Sequence, residues 1–309
     1  MSLDGFSMRP LVRELNTALI GGRIDKITQP NKQSILLSVR QPGKNFWLHI
    51  SINPQNPVLH ITEKTPENPP EPPLFCMVLR KQIETGRIAE IRQHSLDRII
   101  LLDIDFLAAG GKIVTKSLII ELMGKYSNII IVQDGIITDS LRKVGSSNSR
   151  VRQVLPGLPY ELPPGQDKLD LLDAPMEEIM AAIQQQPEQK LSKALLNVCM
   201  GFGPVSAKET AFSAGLPANM LISTLDEADL QALRGALQEI RQACMAEPAA
   251  ASLVLDKNKK VLAMASFPLH YLPDEAAQTF PSISEMLELS TKLTGSYTLP
   301  DKDRFKKLV

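Results

Sequence analysis

Two short stretches hold the side chains best suited to chemistry. His94-Ser95-Leu96-Asp97-Arg98 ends in an adjacent acid and base, and Glu121-Leu122-Met123-Gly124-Lys125-Tyr126-Ser127-Asn128 sets an acid, a cation and an amide around a glycine turn. Arg98 offers a planar fork for a phosphate or a base edge, while Asp97 accepts from a base amine or orients the arginine. Adjacent strand residues face opposite ways, so the two share one site only at the frayed start of a strand. On residue chemistry alone the same pair also reads as a solvated turn feeding that strand. In the second stretch, Lys125 and Asn128 suit a nucleic-acid backbone, with turn amides as a small anion nest. The plainer reading is a strand–turn–strand with Gly124 left-handed and Asn128 hydrogen-bonding the turn. Met123 and Gly124 are assigned to structure; Glu121, Lys125 and Asn128 are binding candidates.

Weaker candidates surround these. Arg80, Lys81, Arg87 and Arg150 are candidate phosphate contacts, with Arg142, Lys143 and Arg152 near them, and each reads singly as a solvated face. Gly201-Phe202-Gly203-Pro204, between two helical patterns, resembles a helix-hairpin-helix turn that can offer amides to a phosphate or serve structure alone. The four histidines (49, 60, 94 and 270) lack ligand spacing with cysteine or carboxylates, so no metal is expected. His49 and His60 alternate with apolar residues and read as satisfied sheet histidines; Trp47 reads as core. Neither a phosphate-binding Gly-x-x-x-x-Gly-Lys-Ser/Thr loop nor a Gly-x-Ser-x-Gly elbow occurs. No cofactor or catalytic residue is expected.

The elements that position these residues follow from periodicity. Met8, Leu11, Val12, Leu15, Ala18 and Leu19 have helical spacing, closed by Gly21-Gly22. Short strands over 23–28, 34–40, 46–52 and 58–62, parted by turn residues, predict an antiparallel meander. The proline-rich stretch 63–73 is a loop, and 74–83 an amphipathic helix ending at Gly86. Strands over 87–93, 98–106, 112–123 and 128–133 continue the sheet. Gly110-Gly111, Gly124-Lys125 and Asp134-Gly135 supply its turns. Residues 140–153 read as a mobile basic loop. Helical patterns replace strands near Asp170. Thr224–Glu227 and Ser282–Glu285 read as capping boxes, and 252–266 as a β-hairpin.

Composition bounds the class. The 309 residues carry 34 Lys+Arg and 34 Asp+Glu, so net charge argues neither for nor against nucleic acid, and only charge distribution can. Hydrophobic residues at 43% and charged residues at 22% match an ordinary globular chain. Three scattered cysteines, no apolar leader and no membrane-length apolar run predict a cytoplasmic protein without disulfides.

Taken in order, the Met1–Leu19 start, Leu79-Arg80-Lys81, Gly86-Arg87-Ile88, Asp97-Arg98, Glu121–Asn128 and Leu155-Pro156-Gly157-Leu158-Pro159-Tyr160 resemble the NFACT family, known in older usage as fibronectin-binding protein A. The resemblance runs to Leu272. It implies a factor that binds transfer RNA, most specifically alanyl transfer RNA, on a large ribosomal subunit carrying stalled peptidyl transfer RNA. There the ribosome's own centre adds an untemplated alanine tail, so the factor is not an enzyme. Asp97 and Arg98 are associated with transfer-RNA recognition in that family. The implied fold is α+β: an antiparallel-strand-rich domain over 1–172, resembling the N-terminal fold of formamidopyrimidine-DNA glycosylases, a helix-hairpin-helix domain over 173–246, and a β-hairpin and helix over 247–309. Full-length relatives continue into a coiled-coil arm. Gly295–Leu299 breaks the helical pattern here and no heptad run follows. Two alternatives stand beside this. One is a nucleic-acid-binding relative of those glycosylases without catalysis, since the start Met1-Ser2-Leu3-Asp4 lacks their Pro-Glu. The other is a fibronectin-binding adhesin.

Overall fold

A computed structural model describes residues 2–147, 149, 151–272 and 277–294. Helix α1 spans Gly5–Leu19 and contains Pro10. Proline has no N–H for the Phe6 carbonyl one turn back; the Cys244 thiol donates to that oxygen instead, at 3.6 Å. Beyond the helix, Gly21 at φ 76° turns the chain into the sheet.

The strands are β1 (Arg23–Asn31), β2 (Ser34–Gln41), β3 (Lys44–Ser51), β4 (Val58–Thr62), β5 (Arg87–Gln93), β6 (Ile99–Leu107), β7 (Ile113–Glu121), β8 (Asn128–Gln133) and β9 (Ile136–Ser140), with helix α2 (Leu74–Ile83) between β4 and β5. They form one sheet in the order β4-β3-β2-β1-β5-β6-β7-β8-β9. Short turns make sequential strands antiparallel neighbours. The departure from simple sequence order is β1, which pairs with β5 after the α2 excursion. Gly110 and Gly111, at φ 80° and 78°, let β6 turn into β7, whose register runs unbroken from Ile99↔Glu121 to Leu107↔Ile113. Ile99, Ile119, Ile130, Val132, Ile137 and Val154 pack into one apolar cluster beside β6–β9. Trp47, expected in the core, is only half-buried.

The chain divides into two compact units. One holds Val12–Arg92, Ile99–Pro163 and the chain from Leu287, and so nearly all of the sheet. The other is assembled from Met1–Leu11, Gln93–Arg98 and Pro164–Met286. Its helices are α3 (Met176–Gln184), α4 (Leu191–Val198), α5 (Pro204–Ser213) and α6 (Glu227–Met245). They bury Ile179, Leu191, Leu195, Leu233 and Leu237 together with Phe6 and Leu96. Strands β10 (Ala251–Leu255), β11 (Val261–Ala265) and β12 (Ala277–Phe280) form a small antiparallel sheet, and helix α7 covers Ile283–Leu293. The hairpin at 252–266 is therefore present, with a third strand that polar Gln278 and Thr279 did not advertise.

One capping assignment is corrected. Thr224 lies in a 3-10 turn and donates to the Leu221 carbonyl at 2.7 Å. The box that opens α6 is Asp226 with Asp229, each side chain accepting from the other's backbone N–H, at 2.9 and 3.2 Å. An aspartate there both caps and complements the helix dipole. The predicted break at Gly295–Leu299 lies outside the described residues. Among the described residues no helix is long and apolar enough to cross a membrane. Cys76, Cys199 and Cys244 are buried and none is in a disulfide.

Candidate functional site

Asp97 and Arg98 stand at the entrance to β6, as expected for a strand start. The loop before them is set by Ser95 at φ 46°, by the Asp97 N–H donating to the His94 carbonyl at 2.9 Å, and by Arg9 donating to the Ser95 carbonyl at 2.8 Å. Gln93 donates to the Asp97 carbonyl at 2.8 Å and to the Gly5 carbonyl at 2.6 Å, tying the loop to the first turn of α1. Asp97 Oδ1 accepts from the Arg98 N–H at 2.7 Å. Asp97 Oδ2 and the Arg98 guanidinium have no hydrogen-bond partner among the described residues. Both side chains are half-buried.

The turn between α4 and α5 packs against this loop. Gly201, at φ 78°, has its carbonyl bonded by the Phe6 N–H at 3.0 Å. A β-carbon on Gly201 would stand 2.6 Å from the Leu96 carbonyl oxygen, and one on Gly5 would overlap the same oxygen. Three backbone segments thus meet where only glycine fits. Asp4 closes the junction: its Oδ2 accepts from the Gly203 N–H at 2.9 Å and the Ser206 hydroxyl at 2.5 Å, and its Oδ1 caps α1 at the Ser7 N–H, at 2.8 Å. Of the turn amides, Phe202 donates to the Cys199 carbonyl and Gly203 to Asp4.

These parts enclose a cavity of about 480 Å³, all of whose lining residues belong to the one unit. Asp97, Arg98, His94, Asp4, Lys168 and Gly201 are among them. Lys168 gave no sequence signal, because it follows a proline-rich exit without periodicity. Its position is fixed by a neighbour: the Leu169 N–H donates to the Val198 carbonyl and its own carbonyl accepts from the Met200 N–H, both at 2.8 Å. Burial, and then the charge of Lys193, hold the Lys168 ammonium below its ordinary range; Cys199 and Asp97 pull the other way.

The second stretch lies in the sheet unit and divides by burial. Glu121 is 1% exposed. Both its oxygens are engaged, by Arg152 at 2.7 and 3.0 Å and by the Tyr160 hydroxyl at 2.9 Å. Burial lowers the Arg152 pKa, but the hydrogen bond and charge of Glu121 outweigh it and hold it above the ordinary value. Burial first and Glu121 second push the Tyr160 phenol well up. Asn128, also buried, spends its amide on the Arg142 backbone at 2.8 and 2.9 Å and on the Ile129 N–H at 2.9 Å. Arg142 in turn donates to the Lys125 and Ile52 carbonyls. Glu121 and Asn128 therefore spend their polar atoms inside the protein, Glu121 on Arg152 and Tyr160 and Asn128 mainly on the Arg142 segment, and it is Arg142 that reaches the turn at Lys125. Lys125 is exposed, its ammonium 4.9 Å from the centre of the exposed Tyr126 ring. This aromatic partner was not singled out in the sequence.

The remaining cations are scattered over the sheet unit. Arg80 is half-buried and donates to the Ile27 carbonyl at 2.9 Å; Lys81 is exposed; Arg87 is exposed and donates to the Gly21 carbonyl at 2.9 Å. Arg150 lies outside the described residues. His49 and His60 are buried side by side, with ring nitrogens 3.2 Å apart. Among the described residues, no group of three or more His, Cys, Asp or Glu is placed to hold a metal.

The chain belongs to the family of NFACT N-terminal and middle domains, whose profile covers residues 4–289. It is 41% identical over 218 residues to the Rqc2 homolog RqcH of Bacillus subtilis, an overlap of 70% of this chain and 38% of that protein. Human ribosome quality control complex subunit NEMF is 24% identical over 234 residues, 75% of this chain and 21% of that one. The crystal structure of the fibrinogen binding protein from Staphylococcus aureus superposes with a TM-score of 0.77 at 29% identity, covering 92% of this chain and 97% of the other. The chain thus spans 38% of the length of the Bacillus relative.

Proposed function

We propose that this chain is the transfer-RNA-holding part of a cytoplasmic ribosome quality-control factor. The relatives named for that process support the class. The observation that carries the site is the cavity where Asp97 Oδ2 and the Arg98 guanidinium have no hydrogen-bond partner among the described residues. An arginine fork and a carboxylate oxygen side by side match the donor–acceptor pattern of a nucleotide. The α4–α5 turn is read as a helix-hairpin-helix that forms one wall of the site. Lys125 with Tyr126, and Lys81 with Arg87, offer further backbone contacts.

In this reading the bound RNA is alanyl transfer RNA and the partner is a large ribosomal subunit carrying stalled peptidyl transfer RNA. The chain does no chemistry of its own. It holds the activated amine near the acceptor ester and so replaces an encounter with a near-intramolecular step. The ribosome forms the peptide bond, which extends the chain with untemplated alanine.

The test is binding to a panel of purified transfer RNAs at one fixed salt concentration, because affinity without salt is uninterpretable. Selective binding to alanyl transfer RNA, lost in the Asp97→Ala/Arg98→Ala double variant, is the expected result. Unselective binding that the variant leaves unchanged overturns the site. The name of the Staphylococcus aureus structure favours a second reading, fibrinogen binding. Saturable capture of purified fibrinogen, with no transfer-RNA preference, would establish it instead.

A further inference from the structure

Among the charged side chains of the cavity beside Asp97-Arg98, hydrogen-bond donors outnumber the carboxylate oxygens left to accept from them. Asp4, one of its two acids, has both oxygens engaged by protein donors. Asp97 has one oxygen engaged and one left. Against that one open carboxylate oxygen stand the guanidinium of Arg98 and the ammonium of Lys168, neither with a hydrogen bond or ion pair within 4 Å among the described residues. A guanidinium brings five N–H donors and an ammonium three, and neither can accept. A ligand that satisfies them must be rich in acceptors and negatively charged. A base edge suits Arg98 alone, since a lysine is a point charge without a reading geometry.

From this excess we infer that the cavity holds a backbone phosphate of the bound RNA, gripped jointly by Arg98 and Lys168, so that Lys168 is a further binding residue of the site. The inference rests on the transfer-RNA reading above. Two features of the structure support it. The Leu169 backbone bonds on both sides hold the adjoining Lys168 backbone at the cavity wall, so that only its side chain has to be ordered on a ligand. Half-burial disfavours its charge, a cost that a bound phosphate would reverse. The volume of about 480 Å³ is ample for a phosphate with its sugar.

Two measurements on the whole chain test this, with Lys168→Gln and Lys168→Arg alongside. The first is transfer-RNA affinity as a function of salt. One phosphate contact contributes about 0.7–0.9 to the slope of log K against log salt. Lys168→Gln is expected to flatten the slope by that amount and weaken every transfer RNA alike, and Lys168→Arg to restore it. The second is a titration with inorganic phosphate at constant ionic strength, read from the backbone amides of Leu169 and Gly201. Saturable shifts in the parent chain, absent in Lys168→Gln, are expected. Selective transfer-RNA binding with an unchanged slope in Lys168→Gln overturns the inference and leaves the functional reading intact. Saturable phosphate binding without any transfer-RNA preference upholds the phosphate site and overturns that reading. Absence of both sinks both.

Discussion

Asp4 Oδ2 accepts from the Gly203 N–H at 2.9 Å, a bond between residues 199 positions apart. The same carboxylate caps α1 and takes the Ser206 hydroxyl, so one side chain joins the first turn of the chain to the α4–α5 turn. Asp4→Ala removes a helix cap worth about 0.5–2 kcal/mol and charge-assisted hydrogen bonds worth about 1.5–3 kcal/mol. Chemical denaturation should register a loss within the sum of those ranges, and Asp4→Asn, which keeps the cap oxygen, a smaller one.

The glycines of the junction should respond unlike those of the sheet turns. A methyl at Gly5 meets the backbone oxygen of Leu96, which has no rotamer by which to yield. Gly5→Ala should cost about 1–3 kcal/mol from overpacking and disturb the cavity with it. Gly21, at φ 76° with open space around it, pays only for a left-handed backbone, about 1–2 kcal/mol on substitution by Ala. Equal transfer-RNA affinity of the two variants would show that the junction does not shape the site.

Arg152 and Glu121 form a buried pair with side chains 12% and 2% exposed. Removing one partner strands a charge, so Arg152→Ala should destabilise the sheet unit by about 3–5 kcal/mol, while the joint change Arg152→Met/Glu121→Met should recover most of it. Amide exchange in β7 and β8 is the local readout. Equal protection in the parent chain and Arg152→Ala would mean the pair stabilises nothing.

Protonation gives a separate signature. Burial, reinforced by the charge of His60, lowers the His49 pKa to about 3. Burial lowers that of His60 to about 4, with partial relief from the Ile61 carbonyl. Unfolding releases both rings to bind protons near their ordinary value of about 6.5. The unfolded state therefore holds more protons below that pH, and stability falls as pH drops from about 6.5 toward 4, by up to about 1.4 kcal/mol per pH unit for each ring. Urea denaturation from pH 7 to pH 5 measures the slope, which His60→Gln should reduce by about half. A slope unchanged in that variant would assign the acid sensitivity elsewhere.

The sheet was legible in the sequence because β-branched runs such as Ile99–Phe106 and Ile129–Val132 alternate with turn residues, and sequential strands pair as neighbours. Asp97 and Arg98 were legible as a strand-start pair, and the α4–α5 turn by its glycines and Pro204. That these two features line one cavity was not, since local periodicity says nothing of contacts between residues 98 and 201. Lys168 was missed for the same reason. At Glu121 and Asn128 the residue types were noticed but their burial was not: the partners Arg152 and Tyr160 lie 31 and 39 positions away. Asn128, read in the plainer alternative as hydrogen-bonding the Gly124 turn, instead bonds the backbone of Arg142, 14 positions on, and the Ile129 N–H. The α6 cap fell two residues from its expected place because a 3-10 turn carried the chain past Thr224.

The segmented make-up of the helical unit sets an order in time. Its pieces are Met1–Leu11, Gln93–Arg98 and Pro164–Met286, so the first waits for the last. At synthesis rates of about 5–20 residues per second, Gly203 follows Asp4 by on the order of 10–40 s. The sheet's hairpins join neighbours in sequence and can zip as they emerge, whereas the cavity closes only after the α4–α5 turn has been made. During that interval the opening turn of the chain exists without its partner, and a pause in translation after the last sheet strand has emerged, at Ser140, but before Gly203 leaves a protein that has its sheet and not yet its site.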